Sequence, residues 1–248
     1  MEQNLQEIEK KASILISALP YIRDFAGKTI VIEYGCAEWL TGMEEQSLMK
    51  DIVLLKSVGM RPVVVHHTRM GMDKFRENKR IAKLLELCGR KAIGIYGIDL
   101  ETIGITLNHD YIPVIVPNDI DNEAEAIDPL ETAREIAVET GAEKLICLNR
   151  FPGVFTDESR TAVHPLLTVD EVEQLKKERG FPKELVNVID HCISAVERGV
   201  GRSHILDGRM EHVLPIELFS VDGAGTVIIR DMSHLYAHER NTTEGGNE

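Results

Sequence analysis

Short apolar segments alternate with helical segments along most of this 248-residue chain. A strand followed by a helix and then another strand is typical of a parallel sheet with helices on both faces. We therefore predict an α/β fold, a three-layer α/β/α sandwich with a mainly parallel central sheet, in a single domain over residues 1–248. The predicted strands are Thr29–Ile32, Pro62–His66, Ala92–Tyr96, Ile112–Val116, Lys144–Leu148 and Ser203–Leu206, and the predicted helices are Leu5–Phe25, Glu45–Val58, Asp73–Cys88, Leu100–Leu107, Pro129–Thr140 and Lys183–Arg198.

Composition excludes several classes of function. The net charge of −13 argues against nucleic-acid binding, which needs clustered Lys and Arg. No apolar run approaches the roughly 20 residues of a membrane span, and no signal peptide begins the chain, so we expect a cytoplasmic protein. The four cysteines are scattered and the nine histidines show no ligand spacing, so we expect neither a disulfide framework nor a metal site.

The first two strands end in polar residues where a parallel sheet presents its ligand-binding edge. His66 and His67 follow each other on an extended segment, so their side chains point to opposite sides and cannot easily bind one metal ion. Glu33 ends the first strand, and it could form an acid/base dyad with Asp128. The interpretation that we favour is an ion pair between Glu33 and a cation such as Arg69 or Arg150.

Seven motifs occur in an order that resembles the amino-acid kinase family, and within it the N-acetyl-L-glutamate kinases. They are Gly27–Ile32, Pro62–His66, Asn78–Gly94, Ile112–Pro117, Gly141–Ile146, His204–Arg209 and Gly223–Thr226. The resemblance implies an ATP-dependent phosphoryl transfer to the carboxylate of N-acetylglutamate or a related small amino acid, in arginine biosynthesis. It also implies a substrate and dimerisation lobe (1–128) and a nucleotide-type lobe (129–230). The composition of the tail (231–248) is polar, and we expect this tail to be frayed.

By resemblance, the site residues fall into three groups. Glu33 and Lys183 occupy candidate catalytic positions; Gly35, His66, His67, Thr68 and Arg69 are candidate substrate-binding residues; Asn149, Arg150, Gly153, Asp207 and Gly208 are candidate nucleotide-binding residues. The family also implies a homodimer, for which Phe75, Ile81, Leu84, Leu85 and Cys88 form a candidate partner face.

The chain departs from the family at the positions that handle phosphate. Where the family has Lys-Tyr-Gly-Gly this chain has Glu33-Tyr34-Gly35-Cys36, and where the family has His-Gly-Gly-Gly it has His66-His67-Thr68-Arg69. The organising aspartate falls on Leu130. Ungapped counting places the second catalytic lysine on Val188, whereas a shift of one helical turn would bring Lys183 to that position.

These departures have a calculable electrostatic consequence. Exchanging lysine for glutamate changes the charge by two units, which at about 5 Å and an effective dielectric constant near 20 disfavours a phosphate by about 6 kcal/mol. Only eleven residues separate His66 from Asn78, where the family has a longer substrate lid.

Two functional classes follow from the resemblance and its departures. The chain is either a regulatory, scaffold or ligand-sensing homologue without normal kinase activity, or an active or repurposed kinase. In the first class ATP and Mg²⁺ bind weakly or not at all, and the ligand is a small carboxylate or an amino acid.

Overall fold

A computed structural model describes residues 13, 16–118, 127–157, 162–220 and 223–236. The strands are β1 (Thr29–Tyr34), β2 (Arg61–His66), β3 (Ala92–Tyr96), β4 (Ile112–Val116), β5 (Lys144–Asn149), β6 (Leu166–Thr168), β7 (Arg202–Asp207) and β8 (Thr226–Ile229). The helices are α1 (16–25), α2 (Gly42–Ser57), α3 (Lys74–Leu87), α4 (Leu100–Asn108), α5 (Pro129–Glu139), α6 (Val169–Glu178), α7 (Lys183–Glu197) and α8 (Val213–Phe219). Two short 3-10 helices cover Ala37–Trp39 and Met232–His234.

The eight strands form one sheet in the order β3-β4-β2-β1-β5-β7-β8-β6. Neighbouring strands are parallel except for β7 and β8, which run antiparallel. The predicted α/β sandwich with a mainly parallel sheet is therefore confirmed. The central position of β1 places its carboxyl end between those of β2 and β5.

Helices cover both faces of the sheet and bury two separate apolar clusters. One cluster joins α4, α5, α6 and α7 to one face through residues such as Ile103, Ile136 and Ile189. The other joins α2, α3 and α8 to the opposite face, with Ile52 and Leu214 among its members. Helix–sheet–helix layering of this kind buries the strands on both faces, as their near-continuous apolar sequences require.

Local capping signals place two helix starts. The Thr168 hydroxyl accepts from the Glu171 N–H, and the Glu171 carboxylate accepts from the Thr168 N–H, so a capping box begins α6. Thr41 and Glu44 form the same arrangement at the start of α2.

Two expectations about the surface are wrong. Ile81 and Leu85 are fully buried against the sheet, so they do not contribute to a partner face on α3; Leu87, 72% exposed, lies on its outer side. Residues 231–236 are not a frayed tail, because the Tyr236 ring packs 3.5 Å from the Arg202 guanidinium carbon and 5.5 Å from the Phe25 ring. This packing ties the end of the described chain to α1 and to the amino end of β7.

Part of the predicted structure lies outside the described residues. This concerns most of the first half of the predicted Leu5–Phe25 helix, positions 119–126 between β4 and α5, and residues 237–248. In the described ranges, no helix is long and apolar enough to cross a bilayer.

Candidate functional site

The carboxyl ends of β2, β1, β5 and β7 lie side by side in the sheet and bring most of the predicted site residues to one edge. Tyr34 pairs in register with His66 and with Leu148, and Asn149 pairs with Asp207. The loops that follow these strands therefore converge, although their residues are far apart in sequence. This edge is where open α/β sheets hold their ligands.

The centre of the edge is an ion pair between Glu33 and His67. Glu33 is 1% exposed, and its carboxylate contacts Nε2 of His67, whose side chain is 36% exposed. The His67 N–H donates to the Tyr34 carbonyl over 3.3 Å, which holds the loop after β2 against β1. Burial disfavours the charged imidazolium, but the Glu33 carboxylate outweighs it and raises the pKa of His67. The expectation that Arg69 or Arg150 pairs with Glu33 is therefore wrong, because the group in contact with its carboxylate is His67.

Gly35 makes room for this ion pair. A Cβ at position 35 would overlap the Glu33 carboxylate and approach the Leu148 carbonyl to 3.1 Å. The Gly35 N–H also donates to that carbonyl over 3.0 Å. A glycine is thus required here by the buried carboxylate itself.

His66 points away from His67, as the alternation of an extended chain predicts. Its Nε2 accepts from the Asn78 amide over 3.2 Å, and its Nδ1 lies 3.0 Å from the His67 carbonyl. The same Asn78 amide donates to the Val114 carbonyl over 2.9 Å. Burial lowers the pKa of His66, so this imidazole is neutral and links α3 to β2 and β4.

Arg69 belongs to a partly buried network of four charged residues that the sequence did not reveal. Its Nε donates to Glu77 over 2.8 Å, and the Arg80 guanidinium contacts both Glu77 and Glu45 at 2.7 to 2.9 Å. The Tyr34 hydroxyl donates to Glu45 over 2.6 Å. Burial opposes ionisation of Glu77, but hydrogen bonds from Arg80 and Arg69 outweigh it and lower its pKa. The charges of the two carboxylates and the two guanidinium groups therefore neutralise one another next to the loop after β2.

The remaining candidate cations do not converge on a free anion site. Arg150 pairs with Glu184, and its guanidinium carbon lies 5.6 Å from the centre of the Trp39 ring. Asp207 is held by the neighbouring Arg209 at 2.7 and 2.9 Å, and Arg209 also donates to the Arg150 carbonyl over 3.0 Å. Lys183 is the exposed first residue of α7. Val188 and Leu130, which fall on the family's catalytic lysine and aspartate positions, are buried in the apolar core.

The candidate nucleotide-binding residues after β5 and β7 shape the turns in which they lie. The Asn149 side chain accepts from the Phe151 N–H over 2.6 Å and donates to the Cys147 carbonyl over 3.2 Å. The Gly208 N–H donates to the Asn149 carbonyl over 2.9 Å. Gly153 has a φ of 149°, and a Cβ there would overlap the Thr226 hydroxyl.

A cavity of about 670 Å³ opens beyond Gly153, between the loop after β5 and the connection from α6 to α7. Sequence reasoning missed this cavity because its walls come from segments that are separated along the chain. Its lining residues are Phe155, Thr156, Asp157, Glu178, Arg179, Gly180, Phe181 and Pro182.

The alternative acid/base dyad of Glu33 and Asp128 is not formed. Asp128 caps α5 by accepting from the Leu130 N–H over 2.9 Å, and its other oxygen lies 3.8 Å from His191, so the Glu33–Asp128 dyad is absent. Cys36 is fully buried, and burial together with the Glu33 charge raises its pKa, so it carries no reactive thiolate. In the described part of the chain, no group of three or more His, Cys, Asp or Glu residues could hold a metal ion.

The fold and the position of its site define an α/β protein whose ligand edge lies at the carboxyl ends of parallel strands. The amino acid kinase family model matches residues 71–207. Acetylglutamate kinase from Syntrophomonas wolfei is 32% identical over 281 residues, covering 90% of this chain and 98% of the relative. Acetylglutamate kinase from Halothermothrix orenii is 33% identical over 290 residues, covering 92% of this chain and the whole relative. The chain belongs to the amino acid kinase family, among its acetylglutamate kinase-like members.

Both alignments are longer than this 248-residue chain, so each relative carries segments that the chain lacks. Among solved structures, N-acetylglutamate synthase from Neisseria gonorrhoeae, complexed with coenzyme A and L-arginine, superposes with a TM-score of 0.72 at 21% identity. That match covers 89% of this chain but only 65% of the synthase. An isopentenyl phosphate kinase superposes with a TM-score of 0.59 at 14% identity, covering 81% of this chain and all of that kinase. At these identities the two structures share the fold.

Proposed function

We propose that this protein is a non-catalytic member of the amino acid kinase family that acts as a regulatory, scaffold or ligand-sensing homologue. The observation that carries the proposal is the buried Glu33–His67 pair at the centre of the ligand edge. Phosphoryl transfer depends on cations and amides arranged around developing negative charge. The Glu33 carboxylate is negative where a cation is needed. The nearby His67 side chain already pairs with this carboxylate and is not available to a phosphate.

The loop after β2 supports the same proposal. In the family, three glycines let backbone amides approach the substrate and the phosphate, but Thr68 and Arg69 stand in this chain. The Arg69 guanidinium is held by Glu77 at 2.8 Å and lies 3.7 Å from Glu45, so its charge is already used. Arg69, Arg150 and Lys183 therefore do not form a substitute phosphate clamp in this arrangement.

The alternative is an active or repurposed kinase, and the cavity of about 670 Å³ beyond Gly153 favours it. Its volume is in the range of small-molecule sites, and the Phe155 and Phe181 rings could pack on a planar base. Asp157, Glu178 and Arg179 all line the cavity, so its carboxylates outnumber its cation and its charge does not select for a triphosphate. For this reason we consider a kinase that binds a nucleotide with Mg²⁺ the second candidate, after the non-catalytic function.

Calorimetric titration of Mg-ATP into the purified protein tests the proposal. We expect wild type to bind Mg-ATP weakly, and Glu33→Lys to bind it at least about a hundredfold more tightly. This change is smaller than the charge effect of roughly 6 kcal/mol because solvent and His67 screen part of it. Glu197→Lys, which makes the same charge change at the exposed end of α7, is the matched control and should bind like wild type. Micromolar binding by wild type, unimproved by Glu33→Lys, would contradict the proposal.

The ligand and the oligomeric state follow from the same proposal and have their own measurements. A thermal-shift panel of nucleotides, acetylglutamate, arginine and related amino acids should show stabilisation by a small carboxylate or an amino acid rather than by ATP. We also propose a homodimer through the N-terminal lobe, where Leu87, Ile93 and Tyr96 are exposed along the open edge of the sheet at β3. A monomer in light scattering at micromolar concentration would contradict the dimer.

A further inference from the structure

Five large apolar side chains stand exposed around the ligand edge and have no role in the site. We call them the methionine rim, which consists of Trp39, Met43, Met70, Met72 and Met210. Met43 is 82% exposed and Met70 is 90% exposed. Exposed apolar residues are ordinary when scattered, but a group at one place marks an interaction surface.

Contacts between the loops connect the segments that carry Trp39, Met70 and Met210. The Met70 N–H donates to the Glu38 carboxylate over 2.8 Å, which joins the loop after β2 to the loop after β1 beside Trp39. Arg150 lies over the Trp39 ring at 5.6 Å, and Arg209 donates to the Arg150 carbonyl over 3.0 Å. Met210 follows Arg209 directly, so the loop after β7 completes the surface.

The charges of this surface select a partner. The two arginines are already paired with the carboxylates of Glu184 and Asp207. Glu38, Glu44 and Asp73, by contrast, make hydrogen bonds to backbone N–H groups, which leave the negative charge in place. A second copy of this chain would present the same three carboxylates and would be repelled. The net charge of −13 adds to this repulsion.

We propose that the methionine rim is a docking surface for a protein partner, which inserts apolar side chains flanked by Lys and Arg. Unbranched methionine side chains adapt to such a segment without requiring one fixed shape. The carboxylates of Glu38, Glu44 and Asp73 supply the charge complementarity. The inference rests on the proposed non-catalytic function, since it names the surface through which a regulatory or scaffold homologue would bind its partner.

A defined probe tests the surface without knowledge of the natural partner. A fluorescein-labelled amphipathic peptide of Leu and Lys, about 18 residues or five helical turns long, is titrated with the full chain and followed by anisotropy. The double variant Met43→Ser, Met70→Ser removes the most exposed part of the rim. Met232→Ser is the matched control, because Met232 is 52% exposed. It lies next to the segment that packs on Arg202 at the amino end of β7, away from the ligand edge.

The proposal expects saturable binding, about tenfold weaker in the double variant and unchanged in Met232→Ser. Equal losses in both variants, equal binding of a matched Leu and Glu peptide, or no saturable binding would overturn it. Preferential binding to phosphatidylserine vesicles in place of the peptide would also overturn it. The kinase assay is independent of this one: peptide binding at the rim by a chain that also turns over ATP would remove the proposed function and leave the docking surface.

Discussion

Replacing His67 by alanine isolates the buried ion pair on which the proposed function depends. Glu33 is 1% exposed, and His67 is its neutralising partner in the structure. Removing the imidazole leaves a buried carboxylate without its counter-ion, whereas the backbone of β1 and β2 is unchanged. The effect should therefore appear as a loss of stability that depends on the presence of Glu33.

The expected magnitude follows from the burial of the two partners. Breaking a fully buried pair from one side costs about 3–5 kcal/mol. The His67 side chain is 36% exposed, so water screens part of the interaction, and we expect His67→Ala to reduce the free energy of unfolding by about 2 kcal/mol. In a double-mutant cycle with Glu33→Gln, the coupling energy should be about 1.5 kcal/mol.

The coupling energy should also depend on pH, with a sign that the structure fixes. The folded-state pKa of His67 is raised above its unfolded value of about 6.5, so the stabilisation is complete below that value and is lost as pH rises through the folded pKa. Urea denaturation of the four proteins of the cycle, at about pH 6 and about pH 9, measures both effects.

His109→Ala is the matched control, because His109 is exposed at the end of α4, and it should change stability by less than about 0.5 kcal/mol. A coupling energy below about 0.3 kcal/mol, or one that is equal at the two pH values, would refute the reasoning.

Two further predictions concern the surroundings of this pair. Gly208→Ala should reduce the free energy of unfolding by about 2 kcal/mol because the new Cβ overlaps the Cys36 sulfur, and Cys36→Ala should restore part of the loss. Urea denaturation measures both, and a double variant no more stable than Gly208→Ala would contradict the packing argument. Glu77→Gln should cost about 3 kcal/mol at neutral pH, since Arg69 and Arg80 lose a shared counter-ion. Because the pKa of Glu77 is lowered in the folded state, its contribution is present above the unfolded value of about 4.3 and is lost as pH falls through the folded pKa. A stability difference from wild type that persists undiminished in acid would contradict this assignment.

The sequence predicted most of the sheet because its buried parallel strands are nearly continuous apolar runs. β3 and β4 have the predicted bounds, and β1 and β5 extend the prediction by one or two residues into the site. The strands β6 and β8 and the helix α8 were missed. β6 has only three residues and β8 four, and such short segments lack a detectable period.

The site was predicted less completely because its partners depend on register. His67 directly follows β2, and the pairing of Tyr34 with His66 places His67 beside the end of β1, but that register is not visible in one sequence. The partly buried network of Glu45, Glu77 and Arg80 was missed for a similar reason. Charged residues on helices are usually solvated, and only the packing of α2 against α3 brings these three together.

The most direct test of the proposed function is a hydroxylamine-trapping assay for acyl phosphate with Mg-ATP and N-acetylglutamate. An acetylglutamate kinase such as the relative from Syntrophomonas wolfei, run in parallel, verifies the assay. The resemblance aligns Glu33 with the family's catalytic lysine, Thr68 and Arg69 with its glycine cradle, and Leu130 with its aspartate. The proposal therefore expects wild type to form no hydroxamate above the enzyme-free background. Turnover of about one per second, an ordinary enzymatic rate, would contradict the account.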